Sequence, residues 1–383
     1  MLIRNNTAIT KYFCVDTHQF LNLSDKTFKV TDFNKYALGA HIKNCKFVSL
    51  NPSHYIPVVE GIYPIPPNST WSIECGVFTQ VQHAFINTTV EYNINYLKKA
   101  IKSMLKAWKL SVAVELSGGL DTSIVIGLLR EVGEEPFLIG ALSDRFEFRT
   151  ERFIQETLIS NPEKTHLFHE TEGLPFSHLK ETPLHFLPNK SSLFYHCNIP
   201  TLLAAKKFNI NVVLNGIGLD SLLIDPIGPG DKNYWFDNSN IDDSWANDYI
   251  FQPEGIAYLS VATIPFVKRI LVSLRKGQSK DTQKIWARKY FKHQVPVELS
   301  RFSYKASFGA VYYEGLESSR QEILSITDTA HSLTKLQEFN TLEMNSLIDK
   351  VLSYDGESEF LFFALLSYAV WIHQLMKNNL INF

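Results

Sequence analysis

The run Ser117-Gly118-Gly119-Leu120-Asp121-Thr122-Ser123 lies between an apolar strand-like segment and an apolar helix-like one, and it constrains the fold more than any other feature of the chain. Residues 112–116, Val-Ala-Val-Glu-Leu, read as a short buried strand, and from Ser123 to Arg130 apolar residues recur at helical spacing. Two adjacent glycines let the backbone turn sharply and approach a ligand closely, because no Cβ intervenes. Ser117, Thr122 and Ser123 add hydroxyls, and a helix starting here aims its unpaired N–H groups at the same place. Such a nest suits an anion with many oxygens, a pyrophosphate above all. Asp121 would repel that anion unless a divalent cation such as Mg²⁺ lay between them. A Gly-Gly pair alone also makes an ordinary tight turn, and it is the strand, the motif and the helix together that favour the phosphate reading.

Around this loop the pattern is α/β. Strand 112–116 feeds the helix from Ser123, residues 136–142 form a second apolar run, and 151–158 reads as helical. Residues 201–207 predict a helix and 211–214 a buried strand. Strands alternating with helices imply a parallel sheet with ligands at the strand carboxyl ends. Beyond about residue 240 the signals are mainly helical, and the most apolar stretch, 361–376, is short for a membrane span and fits a core helix. Residues 1–90 carry short β-like runs (11–15, 46–50, 55–59 and 71–74) broken by Asn, Asp and Pro, with a proline-dense turn over 61–69. We expect a small β-rich domain over 1–90 and an α/β domain with a helical C-terminal part over 91–383, entered through a helix near 92–108.

Composition narrows the classes. With 37 Lys and Arg against 39 Asp and Glu, the net charge of −2 gives no global field for nucleic acid. Four scattered cysteines without a Cys-x-x-Cys pair favour reduced thiols over disulfides or zinc, and the first residues lack the apolar core of a signal peptide. These points suggest a cytoplasmic protein with neither nucleic acid nor membrane as partner.

A second turn, Asn215-Gly216-Ile217-Gly218-Leu219-Asp220-Ser221, follows the strand 211–214. Alone it is an ordinary loop. Beside the first it supplies a second carboxylate for a Mg²⁺-pyrophosphate, which makes Asp121 and Asp220 the expected metal pair and Asn215, Gly216 and Gly218 part of the nucleotide site. A basic run follows (Lys280, Lys284, Arg288, Lys289, Lys292), then Val295-Pro296, Arg301 and Lys305. The first five read as a solvated helix face. Arg301 and Lys305 sit among Phe302, Tyr304 and Phe308, where a cation could stabilise charge on phosphorus and on a departing pyrophosphate.

The first loop is similar to that of the ATP pyrophosphatases, and it lacks the Gly-x-x-x-x-Gly-Lys of a kinase-type loop. The order Glu-Leu-Ser-Gly-Gly-Leu-Asp, Gly-x-Gly-x-Asp and Pro-x-x-x-x-Arg-x-x-x-Lys resembles the synthetase domain of the asparagine synthetase superfamily over roughly residues 95–380. Residues 61–69 are similar to the segment ending that family's glutaminase domain. Leu2 stands where a glutaminase has its nucleophilic cysteine, and the N-terminal region is about half as long as that domain, so the resemblance implies a reduced glutaminase-like domain without activity. Ile217 and Ser221 replace glutamates usual in asparagine synthetases. Among members that use an amine already on the substrate, β-lactam synthetases and lasso-peptide cyclases, the lasso cyclases are most similar. The resemblance then implies ATP and Mg²⁺ as cofactors and Lys305 and Arg301 as catalytic cations. It also implies a precursor peptide whose Asp or Glu side chain is adenylated and joined to its own N-terminal amine, and it leaves room for a leader peptidase or leader-binding protein. Argininosuccinate synthetases carry the same first loop, but near their N-terminus. A small-molecule amide synthetase, and a paralogue that binds nucleotide or peptide without turnover, remain the alternatives.

Four further sets carry competing readings. Glu151 reads as a surface carboxylate or as an aid near ribose or substrate. His166 and His169 have ligand-like spacing without a third ligand, and His196-Cys197 reads as a buried thiol beside a partly satisfied imidazole. The acidic, aromatic stretch 235–249, with Asp237, Asp242, Asp243 and Asp248, reads as an exposed loop or as the lining of a peptide cleft.

Overall fold

The computed structural model describes residues 2–5, 11–14, 19–20, 62–65, 69–74, 77–81, 93–108, 111–185, 188–224, 244–275, 284–301 and 309–380. The expected strands 46–50 and 55–59, the aspartates 237, 242 and 243, Lys280 and residues 302–308 with Lys305 lie outside them.

Strands β1 to β6 (Leu2–Asn5, Lys11–Cys14, Gln19–Phe20, Ile62–Ile65, Ser69–Glu74, Val77–Val81) form two antiparallel three-stranded sheets, ordered β1-β5-β6 and β3-β2-β4. Leu2 pairs with Ser72 in the first. The proline-dense segment expected to be a turn is partly strand: Pro64 lies opposite Tyr12 in β4, which is an edge strand, where the missing N–H of proline is tolerated.

Strands β7 (Val112–Glu115), β8 (Phe137–Leu142), β9 (Thr165–His169), β10 (Val212–Asn215) and β11 (Ala257–Ser260) make a five-stranded parallel sheet ordered β11-β10-β7-β8-β9. Successive side chains on a strand point to opposite faces, and the sheet is buried on both. Val114, Leu138, Val212 and Leu214 face a core built with helices α1 (Ile94–Trp108) and α2 (Leu120–Glu131), and with Ile154 and Leu158 of α3 (Arg149–Leu158). Ala113, Ile139, Val213 and Tyr258 face the other way, against α4 (Tyr195–Lys207) and the segment from Trp245 to Phe251. Each aliphatic side chain buried this way contributes about 1.5–3 kcal/mol. The result is an α/β fold of three layers.

Helix α5 (Leu219–Ile224) follows β10, and α6 (Pro265–Arg275), α7 (Ile285–Tyr290) and α8 (Val297–Arg301) follow β11. The C-terminal part is helical, as expected: α9 (Gly309–Ser318), α10 (Arg320–Thr334), α11 (Thr341–Leu352) and α12 (Gly356–Lys377). Within α12, Ser358–Lys377 is long and apolar enough to cross a membrane, yet 67% of its most apolar window is buried inside the protein, where Leu366, Ala369 and Trp371 meet Ile323 and Ile348. It is a core helix.

The stretch 235–249 reads from sequence as an exposed loop or a cleft lining, but within it Ser244–Ala246 is helical, continues into a π-helix over Asn247–Phe251, and buries Trp245 against the sheet. The region after 240 is mainly helical, as expected, with a short strand, β11, at the sheet edge.

Candidate active site

Strand order decides where a ligand can sit. In sequence order the parallel strands run 5-4-1-2-3, so the connections leave β7 and β10 toward opposite edges of the sheet. Between such neighbours the loops at the carboxyl ends diverge and leave a crevice, the switch point where open α/β sheets bind ligands. Both glycine-rich turns lie there, one after β7 and one after β10.

The first turn is closed by its own side chains. Ser117 Oγ and Thr122 Oγ1 lie 2.8 Å apart, and the Gly119 N–H donates to Ser117 Oγ at 3.2 Å. Ser123 Oγ donates to the Gly119 carbonyl at 2.7 Å. Helix α2 starts at Leu120, three residues earlier than the apolar spacing predicts, so Asp121, Thr122 and Ser123 occupy its first turn. No side chain caps that turn, whose backbone N–H groups face the loop. Gly118 has φ of +76°, and a Cβ there would lie 2.4 Å from the carbonyl oxygen of Glu151. Glycine is required twice over, by the left-handed backbone and by the approach of α3. The same contact brings half-buried Glu151 to the loop through its main chain.

The second turn leans on the first. A Cβ on Gly216 would come within 3.0 Å of Asp121 Cβ and 3.1 Å of the Thr122 nitrogen, and Gly218 has φ of +80°. Asn215 is fully buried, and its Oδ1 accepts from the Ile217 N–H at 3.0 Å. Its Nδ2 makes no hydrogen bond among the described residues. Ser260, opposite Asn215 on β11, donates from Oγ to the Ile217 carbonyl and steadies the turn from the neighbouring strand. Asp220 is on the first turn of α5, and its side chain lies outside the described residues.

The residue that sequence reasoning missed is Lys284. Its ammonium donates to Oδ1 of Asp121 at 2.6 Å and to Oδ2 at 2.8 Å, with the side chains only 11% and 19% exposed. Lys284 precedes α7 in a left-handed conformation, φ of +55°. It was expected on a solvated face with Arg288. Instead Arg288 is buried as well and donates to the Leu299 carbonyl, whereas Lys289 and Lys292 are exposed as expected. No spacing rule links Lys284 to Asp121 across 163 residues, so only the fold joins them. Arg301, at the end of α8, is exposed.

The histidine and cysteine candidates make their contacts elsewhere. His169 caps a 3₁₀ turn, its Nδ1 2.8 Å from Thr171 Oγ1, and the His166 ring lies against Phe208. Among the described residues no three His, Cys, Asp or Glu side chains gather as a metal site. His196 Nδ1 meets Ser177 Oγ at 2.8 Å, and burial pushes the adjacent Cys197 thiol up to about 12, which makes it inert.

The sequence matches no protein-family model and no curated protein. Among solved structures the chain is similar to the U34-tRNA thiolase NcsA of Methanococcus maripaludis, solved with its 4Fe–4S cluster, at 12% identity and a TM-score of 0.30, over 68% of this chain and 80% of that one. That likeness is too distant to carry an argument, and the site rests on its own geometry.

Proposed function

We propose that this chain is an ATP-dependent, AMP-forming carbon–nitrogen ligase that adenylates an Asp or Glu side chain of a precursor peptide and closes a macrolactam with the peptide's own N-terminal amine. One observation carries the reading: two glycine-rich turns meet at the switch point of a parallel sheet, with the Asp121–Lys284 pair, its lysine buried and its aspartate half-buried, at their contact. Backbone N–H groups at the start of α2 would hold phosphate oxygens, and the Lys284 ammonium is placed to neutralise charge on them.

The chemistry balances without a further co-reactant. A substrate carboxylate oxygen attacks the α-phosphorus of ATP, the bond to the bridging oxygen of the β-phosphate breaks, and pyrophosphate leaves. The amine then attacks the acyl carbon, AMP departs, and the amine gives up a proton. Asp121 offers the oxygen donors that Mg²⁺ takes, and a bound ion would share or displace the Lys284 ammonium that now holds them. Mg²⁺ there would supply charge neutralisation to the phosphates, with Asp220 as the second carboxylate we assign to it. Arg301 and Lys305 stay proposals as catalytic cations, and so does a leader peptidase or leader-binding protein as partner. Charge balance and scattered cysteines support a cytoplasmic protein that needs neither nucleic acid nor membrane.

The test is to incubate the chain with ATP, Mg²⁺ and candidate peptides while following pyrophosphate and peptide mass. Pyrophosphate release with loss of one water from the peptide supports the macrocyclase. Release with conversion of a small acid to its amide would replace it by a small-molecule synthetase. Nucleotide binding without pyrophosphate would leave a non-catalytic binder.

A further inference from the structure

Two residues beyond Lys284 stands an aromatic ring that reaches the second glycine-rich turn by another route. The indole N–H of Trp286, on the first turn of α7, donates to the Leu223 carbonyl at 2.7 Å. Leu223 is the penultimate residue of α5, and the last four carbonyls of a helix have no partner within it. The indole therefore closes the end of α5. The guanidinium of Arg275 lies over the same ring, 5.4 Å from its centroid, within the range of a cation–π contact. Arg275 ends α6 and is fully buried. Trp286, itself half-buried, is thus held between the ends of two helices.

The other end of α5 belongs to the site. The Leu219 and Leu222 N–H groups donate to the carbonyls of Gly216 and Gly218, at 3.1 and 3.4 Å, so the helix grows directly out of the second turn. Gly216 backs onto Asp121, and Asp121 accepts from Lys284. These contacts close a ring. It runs from Asp121 to Lys284, along the chain to Trp286, across to Leu223, back through α5 to Gly216, and to Asp121 again.

Lys284 is the member that needs such a ring. Its φ of +55° is one that a residue with a Cβ rarely adopts, and such a backbone persists where its surroundings over-determine it. Its ammonium sits on a flexible four-carbon stem, which by itself would spread the charge over a wide volume. Asp121 holds the tip of that stem, and Trp286 fixes the start of the helix from which it springs. Arg288, which donates to the Leu299 carbonyl, and the buried Phe291 hold the remainder of α7.

We propose that Trp286 is the positioning residue for Lys284: its indole sets the ammonium across Asp121 and ties the lysine to the second turn. This role rests on the reading of Lys284 as a counter-charge to the ATP phosphates, and it deepens that reading. An ammonium released from Asp121 moves only as far as the Trp286 tie allows, which keeps the charge over the loop and out of solvent. Because the tie runs through α5, a shift of the lysine is also felt at the second turn.

Trp286→Phe removes the indole N–H and keeps a ring for Arg275, so it cuts the tie at the least cost to packing. The first measurement needs no ligand. Urea unfolding of the full chain, Asp121→Asn, Lys284→Met and the double variant gives the coupling of the ion pair, as the factor by which the unfolding constants depart from independence. The same set is then made in the Trp286→Phe chain, where we expect that factor to fall about threefold or more. A contact that merely supports the fold would weaken all four chains alike, so an unchanged factor overturns the proposal. The second measurement is calorimetric binding of inorganic pyrophosphate with Mg²⁺. Trp286→Phe should weaken it about fivefold, the worth of one hydrogen bond, and should add nothing in the Lys284→Met chain. Equal loss in both backgrounds would make Trp286 a general support and overturn the role as well. A falling factor in a chain that binds no pyrophosphate would sink the phosphate reading and spare the positioning role, and pyrophosphate binding with an unchanged factor would do the reverse.

Discussion

Lys284 lays its ammonium across both carboxylate oxygens of Asp121, at 2.6 and 2.8 Å, in a place where neither side chain is more than one-fifth exposed. Breaking such a pair from one side leaves the other charge poorly solvated. A fully buried pair broken this way costs about 3–5 kcal/mol, and partial exposure here lowers that to about 1–3 kcal/mol. Asp121→Asn and Lys284→Met should each lower the urea midpoint, and the double variant should lose clearly less than the sum of the two. Each single variant should also cut pyrophosphate release by about 100-fold or more, as loss of one preorganised charge at a reacting phosphate does. Full pyrophosphate release by Lys284→Met would remove that residue from the chemistry.

The glycines of the two turns should separate by cause. Gly118→Ala meets a left-handed backbone and a carbonyl oxygen 2.4 Å from the new Cβ, and that oxygen belongs to helix α3 and cannot swing aside. Gly133 has φ of +89° but open space around it, so Gly133→Ala carries the backbone strain alone, about 1 kcal/mol. We expect thermal melting to fall more for Gly118→Ala than for Gly133→Ala, and ATP binding by calorimetry to fail only in the first. Equal melting and equal binding for the two would mean that contact with Glu151 does not shape the loop.

Much of this site could be read from the chain because its signals are local. A strand, two glycines, hydroxyls and a helix lie within about twenty residues, and β7, β8, α3 and β10 came out within one or two residues of their expected bounds. Helix α4 begins at Tyr195, six residues before its expected start, and runs through Pro200. Strand β9 escaped notice because Thr165, His166, Leu167 and Phe168 are all half-buried and show no alternation. Lys284 was illegible for a different reason: ion pairing across 163 residues leaves no periodic trace, and a lysine in a basic run looks solvated.

Beneath the loops, α1, α2 and α6 leave an apolar cavity of about 30 Å³, lined by Leu97, Ile124, Val267 and Phe291 among others. That is about the liquid volume of one water, and an apolar lining keeps it dry. Val267→Ile adds one methylene toward this space and should stabilise by up to about 0.8 kcal/mol, raising Tm by about 2 °C. Phe291→Ala enlarges the same void and should cost about 3–5 kcal/mol. Scanning calorimetry of both variants checks the pair, and a lower Tm for Val267→Ile would show that the void cannot accept the added atoms.

His185 gives the fold a definite response to acid. It is fully buried, its Nδ1 lies 2.9 Å from the Pro183 carbonyl, and its Nε2 makes no hydrogen bond among the described residues. The rings of Trp245 and Tyr249 stand edge-on to it, and the Trp371 indole N–H donates to its carbonyl. Burial lowers its pKa from 6.5 to about 4, so the folded chain binds fewer protons than the unfolded chain between those values. Stability is then unaffected above pH 6.5, falls as the pH drops toward 4, and loses on the order of 3 kcal/mol across that window. His185→Gln keeps a side-chain donor for Pro183 without a titrating group, so its urea midpoint should change less between pH 7 and pH 5 than that of the parent chain. The same fall in midpoint in both proteins would assign the acid response to other groups.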